Sequence, residues 1–292
     1  VAISRMFGRP DSFHAIPSAG YRYYHSSQFS AASGGQVGLV VGYRYTDLHI
    51  QYSRGVNYPT PVLLMNAVLT SAPKTVTADI KPEIVDHYEI GLMHDWRGKG
   101  SVGASFFYDK GSDRFLAYMN GPVPVAFNDP VGKYEIRGLE LNGTYKPFKL
   151  FNLFAGATLM DARATGNDHI ERDHMPYTPG FQLQAGANWI FLDGIHLRVD
   201  MQYLQDVYDG TVSRRGANSF QYAGLTDKNK LEDFVLVNGR LSYRLDYQPL
   251  NLMDSEVFVA LNNIFNRHYE YAKGYPMPGA TLFAGLSVKF RQ

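Results

Sequence analysis

Residues 195–203, IHLRVDMQY, alternate between apolar and polar side chains without interruption. The apolar positions are Ile195, Leu197, Val199, Met201 and Tyr203, and the polar positions are His196, Arg198, Asp200 and Gln202. Side chains of an extended chain point alternately to opposite sides, so these two sets occupy opposite faces. The segment therefore predicts a β-strand with one apolar and one polar face rather than an amphipathic helix.

The same period of two recurs along the chain, most clearly in 235–245, VLVNGRLSYRL, and in 281–290, TLFAGLSVKF. No run of about 18 apolar residues is present in the sequence, so no helical membrane span is expected. Counting the alternating segments predicts about thirteen strands and an all-β fold. The predicted strands lie near residues 1–8, 18–26, 37–45, 46–53, 86–96, 101–118, 134–146, 150–161, 180–191, 195–206, 234–246, 255–265 and 279–290.

Composition also favours β structure, and it narrows the function classes. Of the 292 residues, 14% are aromatic, 28 are Gly and only 19% are charged. Frequent Tyr, Phe and Gly suit strands and turns better than helices. The net charge of +1 gives no global field that attracts nucleic acid. The absence of cysteine excludes disulfides, thiolate zinc sites and cysteine nucleophiles within this sequence.

The connections between the predicted strands alternate between long and short. The long connections are 54–85, 119–133, 162–179, 207–233 and 266–278. Between them lie the tight links YTD, RGKG, KPFK and LDG and the longer DYQPLNLMDS, and only the first link, 9–17, departs from the rule. Long loops at one end and short turns at the other are typical of bacterial outer-membrane barrels. This asymmetry predicts a transmembrane antiparallel up-and-down β-barrel.

A soluble β-sandwich is the alternative, because its strands also alternate. Strands of about nine to eleven residues, however, match a tilted crossing of a bilayer. Aromatic residues near the strand ends also fit the girdles of membrane barrels, and they include Tyr43, Trp96, Tyr145, Trp189 and Tyr203. Because a free sheet edge is not tolerated in hydrocarbon, thirteen strands are expected to belong to a larger ring. Residues 1–292 are therefore interpreted as a fragment of one barrel domain.

Four stretches resemble TonB-dependent outer-membrane receptors, in the order in which that family carries them. They are YSRGVNYPTP, IKPEIVDHYEIGLMHDW, MPYTPGFQLQAGANW and the closing NNIFNRHYEYAKGYPMPGATLFAGLSVKF. The last resembles the family's C-terminal hairpin, in which an Asn- and Phe-containing strand end, a tyrosine loop and a Pro-Gly turn precede the final strand. The resemblance implies a barrel of about 22 strands with a plugged lumen. This chain then holds about the last thirteen strands, and the plug domain is absent from this sequence.

The resemblance also implies a function, which is active import of a scarce chelate across the outer membrane of a Gram-negative bacterium. A ferric siderophore is the expected cargo; cobalamin or another metallophore is the alternative within the family, and a passive porin is the alternative outside it. The expected partners are TonB, through a plug segment outside this sequence, the chelate and outer-membrane lipid. A monomer is expected, with no nucleic-acid partner, no cofactor and no resident metal. Enzyme activity is not expected, since Asp168, His169 and Asp173 have no nucleophile placed beside them.

Ligand sites in this family, by resemblance, are built from the long loops and the upper wall of the lumen. An anionic or catecholate chelate needs aromatic surface together with arginine and tyrosine donors. The candidates are Arg54 and Tyr58 in 54–85, Tyr208, Arg214, Arg215 and Tyr222 in 207–233, and Tyr269, Tyr271 and Tyr275 in 266–278. Two structural interpretations stay open beside this one. Most loop residues are simply solvated, and loop tyrosines also anchor strand ends at a membrane interface.

Overall fold

The computed structural model shows a protein whose regular structure is β-strand throughout the described residues. Those residues are 1–27, 29–58, 81–120, 123–165, 171–192, 194–209, 212–214, 220–222, 230–247 and 252–289. Within this part of the chain, no helix is long and apolar enough to cross a membrane.

The described part of the chain contains seventeen strands. Their bounds are β1 Ala2–Ser4, β2 Phe7–Gly8, β3 Phe13–Tyr24, β4 Ala32–Tyr43, β5 Thr46–Asn57, β6 Glu83–Asp95, β7 Gly100–Asn120, β8 Val123–Phe148, β9 Phe151–Thr165, β10 Glu171–Arg172, β11 Phe181–Ile190, β12 Ile195–Gln205, β13 Val212–Arg214, β14 Phe220–Tyr222, β15 Phe234–Tyr247, β16 Leu252–Asn262 and β17 Thr281–Ser287.

Thirteen of these strands form one continuous path, as the sequence predicts. The order is β1-β3-β4-β5-β6-β7-β8-β9-β11-β12-β15-β16-β17, and each neighbouring pair is antiparallel. Strand β2 pairs with β3 and β10 with β9, while β13 and β14 form a separate hairpin. Among the described residues β1 and β17 do not pair with each other, so the chain is a partial barrel of up-and-down topology.

One face of the sheet is apolar and exposed. Ile50, Ile90, Phe106, Leu139 and Leu159 are successive cross-strand partners from β5 to β9. Each of these side chains is between 38% and 50% exposed. A continuous row of exposed large apolar side chains is costly in water but favourable against lipid tails. We call this side the lipid face.

Aromatic rings border the lipid face at both ends of the strands. At the loop end, Tyr52 lies 5.0 Å from Tyr88, which lies 6.2 Å from Tyr108, measured between ring centroids. At the short-turn end, Phe151 and Trp189 meet edge to face at 6.2 Å. Two aromatic bands around an apolar belt are the arrangement of a transmembrane barrel at its two interfaces.

The opposite face is polar, and several of its charged groups are paired with one another; we call it the lumen face. His49 Nε2 lies 2.9 Å from Glu89 Oε1, and His87 bridges Glu89 at 3.2 Å and Asp109 at 2.6 Å. Pairing across strands satisfies groups that are partly withdrawn from water. A polar wall of this kind is expected for the interior of a membrane barrel.

Glycines on the lumen face make room for aromatic rings from the neighbouring strand. A methyl group at Gly138 would fall inside the van der Waals envelope of the Phe107 ring, and one at Gly111 would fall inside that of Tyr134. Phe107 and Tyr134 are thereby buried although they lie on the polar side. Rings laid over strand glycines replace the packing that a glycine cannot supply.

Two predicted connections differ from the structure. Residues 9–17 are not a loop, because β3 begins at Phe13 and only a short turn precedes it, so the rule of alternating connections holds there too. Pro17 has no backbone N–H, so it removes one donor from the strand, but its carbonyl oxygen still accepts the N–H of Arg5 at 3.3 Å. The strand therefore tolerates this proline.

The predicted loop at 119–133 is also wrong. The backbones of β7 and β8 pair as far as Asn120 and Val123, so cross-strand pairing overrides the glycine and proline signals there.

Candidate ligand-binding site

The lumen-face residues of β12 and β15 become apolar where these strands approach the long connections. On the lumen face, the polar residues of mid-strand give way to Leu204 and Phe234, which are cross-strand partners. Together with Val207, Leu231 and Leu236 they form a buried apolar cluster, and Phe234 is only 3% exposed. This cluster provides a fixed base for the loops above it, because its burial opposes local opening.

The connections β9–β11 and β12–β15 meet around Tyr208. The ring of Tyr208 stacks on His174 at 4.0 Å with an interplanar angle of 13°, and its side chain is buried. The N–H of Tyr177 donates to the carbonyl of Tyr208 at 2.9 Å, and the Tyr177 hydroxyl donates to Asp209 at 2.7 Å. These contacts hold two long connections against each other.

The third connection, between β16 and β17, docks on the same cluster. Phe234 contacts the rings of Tyr269 and Tyr271 at centroid distances of 4.8 and 5.4 Å, and the two tyrosines meet edge to face at 5.5 Å. The Tyr271 hydroxyl donates to Gln202 Oε1 at 3.4 Å, which places that ring over the lumen face. Arg267 donates to Glu232 at 3.2 Å. We call Gln202, Phe234, Arg267, Tyr269 and Tyr271 the tyrosine cluster.

The asparagines of the NNIFN stretch explain how this connection starts. Asn263 is 4% exposed and has a φ of 49°, in the left-handed region that asparagine tolerates better than most residues. Its side chain donates to the carbonyl of Arg267 and accepts the N–H of Arg267, both at 2.8 Å. Asn266, with the same φ of 49°, accepts the N–H of Ala280 at 2.8 Å. These bonds fix the direction in which the tyrosines leave the strand.

A second aromatic group lies at the loop end of β3 and β5. Tyr58 contacts Phe29 at 5.6 Å and Tyr24 at 6.1 Å, and its hydroxyl donates to the carbonyl of Ser30 at 3.0 Å. The guanidinium of Arg22 lies 5.9 Å from the ring of Tyr24. Tyr58 is thereby held against the short β3–β4 connection.

The candidate ligand-binding residues predicted from the sequence therefore do not all lie at one site. Tyr269 and Tyr271 come together in the tyrosine cluster, Tyr208 is buried beside that cluster, and Tyr275 is 67% exposed. Arg54 lies on the lipid face, where Asp86 accepts two hydrogen bonds from its guanidinium at 2.7 and 2.8 Å. The remaining candidates fall outside the described side chains: Arg214 and Tyr222 have backbone positions in the β13–β14 hairpin, and Arg215, like Asp168 and His169, lies outside the described residues.

The sequence did not identify the residues that support the tyrosine cluster and the aromatic group around Tyr58. Gln202 is indistinguishable in sequence from any other polar residue of the lumen face. Tyr24 ends β3, and Phe29 lies in the connection that follows, which is too short to be singled out. Only Phe234 gives a usable signal in the sequence. Residues 234–237 are all apolar, so they place apolar side chains on both faces of the strand.

Two side chains at the loops, Tyr271 and Lys230, have pKa values above their ordinary values. Burial, with a smaller contribution from Tyr269, raises the pKa of Tyr271 above its ordinary value, so the phenol stays a neutral donor. The hydrogen bond that Lys230 donates to Asp206 raises the pKa of Lys230. Among the described residues, no group of three or more His, Asp or Glu side chains is arranged to hold a metal ion.

An antiparallel up-and-down sheet with a lipid face, a polar lumen face and long loops at one end defines a transmembrane β-barrel. A family model described as "TonB dependent receptor-like, beta-barrel" matches residues 13–264. The chain therefore belongs to the TonB-dependent receptor family and forms part of its barrel. No curated protein sequence matches it.

Solved structures show the same fold. The FrpB iron transporter from Neisseria meningitidis superposes with a TM-score of 0.68 at 16% identity, over 98% of this chain and 44% of FrpB. A ferric enterobactin receptor mutant from Pseudomonas aeruginosa (PfeA) in complex with enterobactin gives 0.66 at 14% identity, over 94% and 43%. The copper transporter OprC gives 0.62 at 16% identity, over 94% and 47%. The chain thus spans less than half the length of the receptors it resembles.

Proposed function

We propose that this chain is the C-terminal part of the barrel of an outer-membrane receptor that imports a ferric siderophore by a TonB-dependent mechanism. Family membership supports active import rather than passive diffusion, and FrpB and PfeA are described as an iron transporter and a ferric enterobactin receptor. The observation that carries the choice of ligand class is the tyrosine cluster, which presents ring faces and polar donors over the lumen face.

The cluster has the chemistry that an anionic, aromatic chelate requires. Tyr271 is 40% exposed, so a ligand can reach its neutral hydroxyl, which can exchange the 3.4 Å bond to Gln202 for one to the ligand. Arg267 is held by Glu232, whose side chain is 84% exposed. A surface ion pair of this kind contributes little to stability, so the guanidinium can exchange Glu232 for a ligand carboxylate or catecholate at small cost.

Phe234 and Tyr269 hold the ring of Tyr271 in place, and two hydrogen bonds with the Asn263 side chain hold the backbone of Arg267. Because Phe234 is buried and contacts both tyrosine rings, the ligand meets a preformed surface and does not have to order it on binding. Asp209 links two of the other connections to this one, since it accepts hydrogen bonds from the N–H of Lys273 at 3.4 Å and from the hydroxyl of Tyr177. All three connections thereby form one rim.

Equilibrium binding of radioactive iron chelates to the intact receptor tests this proposal. Tyr271→Phe removes one neutral hydrogen bond of about 0.5–1.5 kcal/mol, which predicts a 2- to 12-fold rise in Kd. Arg267→Gln removes a charge-assisted bond of about 1.5–3 kcal/mol, which predicts a rise of about 12- to 150-fold. Tyr243→Phe, on the lipid face at the short-turn end, is the matched control and leaves Kd unchanged.

Growth assays then separate the ligand classes. A strain that lacks the receptor is supplied in turn with ferric siderophores, cobalamin and copper chelates, with and without TonB. Restoration by ferric siderophores only when both the receptor and TonB are present supports the proposal. Restoration by cobalamin or a copper chelate alone overturns the ligand assignment, and uptake that persists without TonB indicates a porin.

A further inference from the structure

A groove lies in the lipid face towards its short-turn end. Gly143, Ala155 and Ala185 are successive cross-strand partners from β8 to β11, and each has only a hydrogen atom or a methyl group as its side chain. Val102 and Met201 flank them on β7 and β12. The groove encloses about 620 Å³, and its walls are apolar. A space of this size and character accepts a flexible hydrocarbon chain.

Aromatic rings border the groove at its short-turn end. Trp96 and Tyr145 line it there, and they are 44% and 49% exposed. Tyr145 pairs with Leu153, and Leu153 pairs with Ala187, so the lining continues across three strands. Trp and Tyr rings favour the depth at which acyl chains meet headgroups. The groove therefore begins at the headgroup boundary and extends towards the bilayer centre.

Four cations lie directly beyond these rings. Arg97 and Lys99 belong to the β6–β7 turn, while Lys146 lies near the end of β8 and Lys149 in the turn that follows. The N–H of Lys146 donates to the carbonyl of Lys99 at 2.6 Å, which holds the two turns together. All four residues are exposed, and none of them forms an ion pair within the described part of the chain. We call these four residues the turn cations.

The turn cations lie at the depth of the lipid headgroups. Only residues 96–99 separate β6 from β7, and only residues 149–150 separate β8 from β9. The guanidinium of Arg97 lies 4.6 Å from the ring centroid of Tyr45, in the neighbouring short turn. The headgroup region is roughly 5–8 Å thick on each side of the hydrocarbon core, so turns this short keep their charges within it.

The positive charge is concentrated beside this groove. Residues 95–99 and 145–151 contain four cations and one carboxylate, which gives a net charge of +3. The two later short connections, 191–194 and 246–254, contain three Asp and neither Lys nor Arg. A general attraction of the barrel to a membrane surface does not require this asymmetry, whereas a single site beside one groove does.

We propose that the groove and the turn cations form a binding site for one anionic phospholipid of the periplasmic leaflet. An acyl chain lies in the groove, and the phosphate and headgroup contact the turn cations. Charge complementarity selects an anionic headgroup, because unpaired cations at a membrane surface attract anionic lipid. Continuity of the groove with the lipid face selects a lipid chain rather than a water-soluble ligand. The inference depends on the membrane placement of the barrel and not on which chelate is imported.

Lipid binding by the intact receptor, purified in mild detergent and stripped of lipid, tests the proposal. Native mass spectrometry measures the binding of phosphatidylglycerol and of phosphatidylcholine with identical acyl chains, and the wild type should bind phosphatidylglycerol about 10-fold more tightly or better. Lys99→Gln/Lys146→Gln should weaken phosphatidylglycerol binding about 10- to 30-fold, since each cation contributes roughly fivefold, and should leave phosphatidylcholine binding unchanged. Arg9→Gln/Lys289→Gln is the matched control, because it removes two exposed cations at the short-turn end away from the groove, and it should bind as the wild type does.

A groove variant tests the acyl-chain half of the site. Ala185→Leu fills the centre of the groove and should weaken the binding of both lipids several-fold, while Ala284→Leu, at a small lipid-face residue of β17, should have no effect. Equal binding of the two lipids by the wild type, or an equal loss in Arg9→Gln/Lys289→Gln, overturns the proposal. A shift from dimer to monomer in Ala185→Leu with unchanged lipid binding also overturns it, since a second copy of the chain would then cover the groove. Chelate binding, measured on the same samples, reports separately on the proposed import function.

Discussion

Replacing Phe234 by leucine tests whether the tyrosine cluster is built on its buried ring. Leucine keeps an apolar side chain in the cluster but loses the two aromatic contacts at 4.8 and 5.4 Å. Each such contact contributes about 0.5–1.5 kcal/mol beyond simple burial, so the docked loop loses about 1–3 kcal/mol. Opening of the connection 263–280 therefore becomes about 5- to 150-fold more frequent.

Hydrogen exchange measured by mass spectrometry detects this opening directly. The amides of Arg267 and Met277 are protected by bonds of 2.8 and 3.0 Å to Asn263 and Tyr269, so their exchange should accelerate by that factor. Phe154→Leu, another lumen-face aromatic but far from the loops, should leave these amides unchanged. Equal protection of the connection in the wild type and in Phe234→Leu would refute the argument that the buried ring holds the loop.

Two other predictions concern stability. Gly138→Ala forces a methyl group into the Phe107 ring and should destabilise the barrel by about 1–3 kcal/mol, seen as a lower melting temperature, while Gly55→Ala, with its nearest neighbour at 4.0 Å, should have little effect. The raised pKa of Lys230 means that its bond to Asp206 contributes stability below about pH 10.5, which is lost as the pH rises through the folded-state pKa. Lys230→Gln should therefore show a smaller fall in melting temperature than the wild type between pH 9 and pH 12; an equal fall would contradict the assignment.

The strands could be predicted from sequence because a membrane imposes a simple rule on them. Each strand that crosses the bilayer must present apolar residues to lipid on one side, so the alternation in 195–203 and 235–245 determines both its existence and its faces. The prediction failed where that rule does not apply. Beyond the apolar belt, the backbones of β7 and β8 remain paired as far as Asn120 and Val123, although residues 119–133 contain glycine and proline signals that resemble a loop.

The candidate site could be predicted only in part, because sequence gives residue types at the loops but not the contacts between them. The closeness of Tyr269 and Tyr271 follows from their spacing beyond the strand, whereas their support by Phe234 depends on pairing between β12 and β15. The position of Arg54 shows the other limit. Its residue type suits an anionic ligand, but the period of two along β5 places it on the same side as Ile50, facing lipid.

Alternating accessibility along β12 tests the central claim, which is that one side of the sheet faces lipid and the other faces water. Because this sequence has no cysteine, single substitutions at Leu197, Arg198, Val199 and Asp200 each give one labelling site within it. In the membrane-embedded receptor, cysteines at 198 and 200 should react with a charged, water-soluble maleimide, while spin labels at 197 and 199 should collide with a lipid-soluble relaxation agent. Uniform reactivity along the strand, or the opposite alternation, would contradict the account.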